Sequence, residues 1–180
     1  MRPALGATLA SVVLAAALGA VARPAAAQEP LRTPEVRALL SGFEEAPDAD
    51  AWARLGPSVI PALEAICRDP ASLPFVRLRA LAALGAFRTE RSRRLLLDVA
   101  RNADSDELAV REALRALGRA FGPAAVPDVV PFLRHRSPVV REGAARALAA
   151  VGTVEARRAL DARRAVETDP GVRAALLGPR

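Results

Sequence analysis

Leu73-Pro74-Phe75-Val76-Arg77 returns as Ser137-Pro138-Val139-Val140-Arg141 and again as Asp169-Pro170-Gly171-Val172-Arg173. The prolines stand 64 and then 32 residues apart, and the absent middle copy falls at Asp106, with Leu108 where valine would sit. Proline suits the opening turn of a helix, because the N–H it lacks would have no partner there. A helical start repeated every thirty-odd residues marks stacked helix pairs, none of which can bury its apolar face alone.

Two further repeats support that reading. Gly56-Pro57-Ser58-Val59-Ile60-Pro61 comes back 66 residues later as Gly122-Pro123-Ala124-Ala125-Val126-Pro127, a glycine that ends one helix and prolines that open the next. Ser92-Arg93-Arg94-Leu95-Leu96 aligns with Ala156-Arg157-Arg158-Ala159-Leu160 at the offset of 64.

Between these signals the apolar residues keep a helical period, and no stretch alternates as a strand does. Thr33-Pro34 offers a cap for a helix over 34–43 carrying Val36, Leu39, Leu40 and Phe43. Asp48 or Asp50 caps a short helix with Trp52 and Leu55 that stops at Gly56; Leu63, Ile66 and Cys67 line the next. Val76, Ala80, Leu84 and Phe87 then face Leu95, Leu96, Val99 and Ala100. Leu108, Ala113, Leu117 and Phe121 pair with Val126, Val129, Val130 and Leu133. Val140, Ala144, Ala147, Leu148 and Val151 pair with Ala156, Ala159, Leu160 and Val166, and Val172, Leu176 and Leu177 form half a repeat. Pro131 either kinks its helix or delays the start; the pattern leaves both open.

These residues resemble the HEAT-like repeats, in the short bacterial form also described as bilin-lyase-type. The first helix of that family reads Val-Arg-x-x-Ala-x-x-Ala-Leu-Gly, which Val76 to Gly85 satisfies at each fixed position. Val140-Arg141 with Ala144, Ala147 and Leu148 satisfies most of it, with Ala149 in place of glycine, and Val110-Arg111 to Gly118 matches with one residue fewer. The resemblance implies an all-α, right-handed α-α superhelix of about four helix pairs over residues 48–180. It implies structural roles for Arg77, Arg111, Arg141 and Arg173, each tying a helix start to the preceding repeat, and reads Gly85, Gly118 and Gly152 as helix stops.

Ahead of that domain, residues 28–47 read as a lead-in and capping helix, and residues 1–27 as a secretory signal peptide. Met1-Arg2 supplies a positive start, Leu9 to Leu18 the apolar centre, and Ala25-Ala26-Ala27 a small-residue site for cleavage between Ala27 and Gln28. The alternative is a retained anchor, although alanine, glycine, serine and threonine make the run a poor permanent span. The expectation is a periplasmic or secreted protein with no stable membrane span after cleavage.

Composition limits the chemistry. All 26 basic residues are arginine, against 20 acids. Residues 28–75 hold eight acids and four arginines, and residues 76–180 hold 12 acids and 20 arginines, so charge is split −4 then +8. Cys67 is the lone cysteine, which removes any intrachain disulfide, and on an apolar helical face it reads as an inert thiol. His135, the lone histidine, reads as a cation near a helix C-terminus. One histidine and one cysteine on different repeats supply no zinc site, and neither a phosphate-cradling glycine loop nor a nucleophile elbow is present. No catalytic residue, metal or cofactor is expected. Glu107 with Arg111, and Arg157 with Asp161, read as i,i+4 ion pairs.

In this family the second helices line the inner curve. Their outward positions here carry Arg94, Asp98, Arg101, Asp128, Arg134 and Arg158, of mixed sign. A phosphate-tracking surface needs a stripe of one sign and base-stacking aromatics, so nucleic acid fits poorly. The reading is an exported, non-catalytic scaffold or adaptor that binds a protein or peptide in the cell envelope through those six residues. Two alternatives stay open: an enzyme or accessory handling a tetrapyrrole-type ligand, and a structural segment of an envelope assembly.

Because the repeats share one apolar seam, Leu84→Asp should lower stability by several kcal/mol, as a charge placed in a core does. Replacing Arg94 or Arg158 by alanine should change it by less than about 0.5 kcal/mol. Urea denaturation of the three variants checks this, and a Leu84→Asp protein as stable as the parent would break the repeat assignment.

Overall fold

The computed structural model describes residues 31–42 and 47–178, and they are helical throughout. The helices are α1 (Thr33–Ser41), α2 (Ala49–Leu55), α3 (Ile60–Arg68), α4 (Pro74–Leu84), α5 (Glu90–Arg101), α6 (Glu107–Phe121), α7 (Val126–Val129), α8 (Pro138–Val151), α9 (Val154–Arg164) and α10 (Pro170–Leu176). Among the described residues no helix is long and apolar enough to cross a membrane. The leader, its cleavage site and Phe43 lie outside the described residues.

Local chemistry sets most boundaries. The side chains of Asp48, Thr89, Asp106, Thr153 and Asp169 each accept a backbone N–H of the helix they precede, at 2.7–3.3 Å. Such caps satisfy donors that no intrahelical carbonyl can reach. Proline occupies the opening turn of α1, α3, α4, α8 and α10. Thr33 is itself the first residue of α1, and Glu35 reaches back to accept the Arg32 N–H at 2.7 Å.

The helices stack in two layers. α1, α4, α6, α8 and α10 pack side by side as first helices; α3, α5, the segment 122–134 and α9 lie behind them as second helices. Each second helix also touches the first helix of the next pair, as α3 does α4 and α5 does α6. The result is an all-α, HEAT-like α-α solenoid of four pairs and a final first helix. One apolar core runs from Val36 through Leu63, Leu84, Leu117 and Leu148 to Leu176. Each such side chain contributes about 1.5–3 kcal/mol by leaving water.

Several residues depart from the sequence reading. Leu108 is 41% exposed, whereas Val110 is 5% exposed. α6 starts at Glu107 behind its Asp106 cap, and the inward position falls two residues beyond Leu108, at the Val110 that the Val110-Arg111 match to the repeat signature gives. Val166 is exposed because α9 has already ended, at Arg164, and Leu39 and Leu177 also face solvent. Phe87 is buried from the turn after α4, outside the helix it was expected to line. Pro131 produces neither a simple kink nor a late start: the second helix of the third pair dissolves into a 3-10 turn (Gly122–Ala125), the four-residue α7 and another 3-10 turn (Val130–Arg134). Pro123, Pro127 and Pro131 stand four residues apart; Pro123 fits an opening turn, but Pro127 and Pro131 each lack a donor that a continuous helix from Gly122 would use.

Gly118 does not stop α6; it sits inside the helix, where an added Cβ would lie 3.3 Å from Ala147 Cβ. The stop is Gly122, with a φ of 51°, and α8 ends at Gly152 in the left-handed region as expected. Gly143 permits a closer approach still. A Cβ there would meet Arg111 Cγ at 2.6 Å and Arg111 Cα at 3.1 Å.

Gly143→Ala should therefore destabilise by about 1–3 kcal/mol through overpacking, despite the roughly 1 kcal/mol that alanine gains over glycine in a helix. The midpoint of urea unfolding reads the sign directly, and a stabilised variant would mean α6 and α8 can part without cost.

Candidate functional site

The six charged positions expected to form a binding face divide by what they touch. Arg94 and Asp98, one turn apart on α5, line a shallow recess of about 330 Å³ together with Glu64, Arg68, Arg91 and Leu95. Arg101 and Asp128 are engaged with each other at 3.0 Å, and Asp128 also takes Arg93 at 2.6 Å. The Asp128 side chain is only 14% exposed, so this carboxylate is a strut between α5 and α7 rather than a free outward group. Arg134 and Arg158 are exposed and line neither this recess nor the strut.

Three residues of the recess went unread in the sequence. Glu64 accepts Arg91 Nε at 2.8 Å and pairs with Arg68, four residues on along α3. The i,i+4 spacing of Glu64 and Arg68 was visible, but only the later repeats drew attention to their charges. Leu95 forms an apolar floor at 3% exposure. Long flexible arginines around a shallow mixed-charge depression suit contact with a peptide better than enclosure of a small molecule.

The arginines of the Val-Arg pairs are structural where they are bonded. Arg77 Nη1 donates to Ser72 O at 2.8 Å, and Arg141 Nη1 donates to His135 O and Arg136 O at 3.0 Å. Each thus ties the loop before its helix to the helix itself. The same pair occurs earlier as Val36-Arg37, which the repeat reading missed; Arg37 reaches Asp69 at 2.8 Å and Ser72 Oγ at 2.7 Å. Those bonds, with the Ala71 N–H, hold the Asp69 carboxyl below its ordinary range, the backbone bond being the largest cause. Arg111 instead lies across Gly143 with its Nε buried and unpartnered, so its expected pair with Glu107 does not form. Arg157 likewise bonds Gly152 O, while Asp161 pairs with Arg164 at 2.8 Å.

His135 is bonded within its own turn. Its Nδ1 accepts the Ser137 N–H at 3.1 Å and so braces the turn into α8. Cys67 is half-buried, and burial first, with Glu64 second, pushes its thiol up to about 12. A thiol at that value is not a nucleophile near neutrality. Among the described residues no group of three histidine, cysteine or acidic side chains is placed to hold a metal ion.

Residues 95–178 match the family model of HEAT repeats, from the middle of α5 through α10, which supports a HEAT-like repeat protein. No curated protein matches the chain.

Within the matched stretch, Glu167 is the most deeply engaged ionised group. Its side chain is fully buried and accepts from Arg141 Nε and Nη2, from Arg163, and from the Thr168 and Asp169 N–H groups, at 2.7–3.1 Å. The Arg141 hydrogen bonds lead in lowering its carboxyl from 4.5 to about 2, against the opposing pull of burial. A carboxyl whose value falls on folding stabilises the fold above its ordinary value and stops doing so as pH drops towards 2. Glu167→Gln should therefore cost about 3–5 kcal/mol at neutral pH, since it leaves Arg141 buried without its counter-charge. The gap between parent and variant should narrow between pH 4.5 and 2. Thermal melts across that range check both; a gap independent of pH would remove the ion pair as its cause.

Proposed function

We propose that this protein is a non-catalytic adaptor that binds a protein or peptide partner across its second-helix face, and that it does so in the cell envelope after export. HEAT repeats commonly mediate protein interactions, and the repeat match takes in Asp98, Arg101, Asp128, Arg134 and Arg158 of this face, while Glu64, Arg68, Arg91 and Arg94 precede it. The observation that carries the reading is the recess between α3 and α5. It joins paired charges (Glu64, Arg68, Arg91) to an exposed rim, where Arg94 has no ion pair among the described residues and Asp98 meets Arg68 at 3.9 Å, over an apolar floor at Leu95. Arg94, Arg134 and Arg158 make no ion pair among the described residues, so removing them should leave the solenoid intact. Export is supported by the order of charge, apolar run and small residues in the first 27 positions. It predicts a mature protein that begins at Gln28, as N-terminal sequencing would read.

Placing a photo-crosslinking residue at position 94, and separately at Arg115 on the first-helix face, tests the binding surface in living cells. The expected outcome is a discrete adduct from position 94 that is absent from position 115. It should weaken at least about fivefold when Arg134 and Arg158 are both alanine, in line with losing roughly 1 kcal/mol of exposed charge contacts. Equal adducts from both faces, or none from position 94, would overturn the assignment.

A further inference from the structure

The recess at Arg94 and Asp98 shares Arg68, Leu95 and Asp98 with a larger cavity of about 510 Å³. That cavity lies where the second pair meets the third, between the α3–α4 turn and the α5–α6 turn. Its inner wall is apolar: Leu81 and Leu95 are nearly buried, and half-buried Val99 and Ala109 continue it. Its mouth carries carboxylates at Asp98, Asp104 and Asp106.

The charges do not cancel internally. Asp69 and Arg68 also line the cavity, but Arg37 holds Asp69 at 2.8 Å and Glu64 holds Arg68. Three carboxylates then face the guanidinium of Arg77, which is drawn to the carbonyls of Ser72 and Pro70, and Arg68, which is held on Glu64 and reaches Asp98 only at 3.9 Å. Asp106 is partly spent on the Leu108 and Ala109 N–H groups, and Asp98 is 68% exposed with Arg68 no nearer than 3.9 Å. The corresponding junction between the fourth pair and α10 is closed by Arg141 and Glu167, and that at the first pair by Arg37 and Asp69. At the second junction Arg77 makes no ion pair among the described residues, and the cavity stays open.

We infer that this cavity is an anchor pocket for a basic side chain, arginine above all, presented by the peptide partner. An arginine carries an apolar stem that fits the leucine–valine wall and a planar head whose five donors can bridge two carboxylates. Asp98 and Asp104 are the acceptors with the fewest prior commitments. This inference rests on the adaptor reading and sharpens it, since the cavity and the recess share Arg68, Leu95 and Asp98.

Titrating the full protein with Nα-acetyl-L-arginine amide, followed by amide chemical shifts, tests the pocket without knowing the partner. The neutral citrulline analogue is the control. Saturable shifts should appear at Leu81, Val99 and the 102–106 turn with the arginine probe alone. In the Asp98→Asn, Asp104→Asn double variant, whose two sites are exposed, affinity should fall about tenfold with an unchanged melt. Equal binding of citrulline, equal binding by the variant, or no saturable shift at those residues would each overturn the pocket. Failure of the adaptor reading would look different: the probe would bind as expected while crosslinking at position 94 gave nothing.

Discussion

None of the helix pairs covers its own apolar face, and that constraint governs the rest of the molecule. Leu84 and Leu117 are fully buried in a core that α6 beside α4, and α8 beside α6, help to close. Close contact along this seam is made possible by very small residues. Gly118 lets Ala147 approach within van der Waals contact, and Gly143 lets the Arg111 side chain lie flat over the backbone of α8. Alanine and glycine at such places give little hydrophobic burial themselves. What they give is proximity, which lets the leucines on either side reach full burial and dispersion contact.

The turns between pairs leave carbonyls outside the helical ladders, and arginine bonds them. Arg141 bonds two loop carbonyls with one nitrogen and Glu167 with the other two, so one side chain fixes both the turn before its helix and the turn after the next. Burying such a pair is costly, and only a saturated geometry repays it. Glu167 meets that condition with acceptor bonds to two arginines and two backbone amides. Arg37 with Asp69 and Ser72 is a more exposed version of the same device. Asp128, held by Arg93 and Arg101, does the equivalent work at the broken second helix, where α7 is too short to hold its own position.

The repeat spacing made the architecture legible, since proline, valine and arginine at fixed offsets report backbone and core requirements that any copy must meet. Its errors have physical causes. Leu108 was placed by counting from Pro74, but the Asp106 cap shifts the inward face of α6 to Val110. Gly118 looked like a stop because glycine ends helices elsewhere here, whereas its demand comes from Ala147, 29 residues away and invisible to local reading. The proline series 123, 127 and 131 was visible in full, yet whether a helix kinks or tightens depends on how its neighbours hold it. Val36-Arg37 carried the repeat signature and went unread because the charge-rich residues after it interrupt the period.

The proposed binding face is much less legible, and the reason lies in what a charge can be used for. Asp98 and Asp128 have the same sequence credentials: each is an acid on a second helix with arginines nearby. The fold spends Asp128 internally, at 14% exposure between two guanidiniums, and leaves Asp98 at 68% exposure on the rim of a recess. That difference arises from the 27-residue separation of Arg101 and Asp128, which only the stacking of α5 against the third pair converts into a 3.0 Å contact. A solenoid's core residues answer to their own and the next repeat, so periodicity finds them. Its candidate recognition residues are those left over once the interior has taken its counter-ions, and that remainder is defined only after every pair has docked.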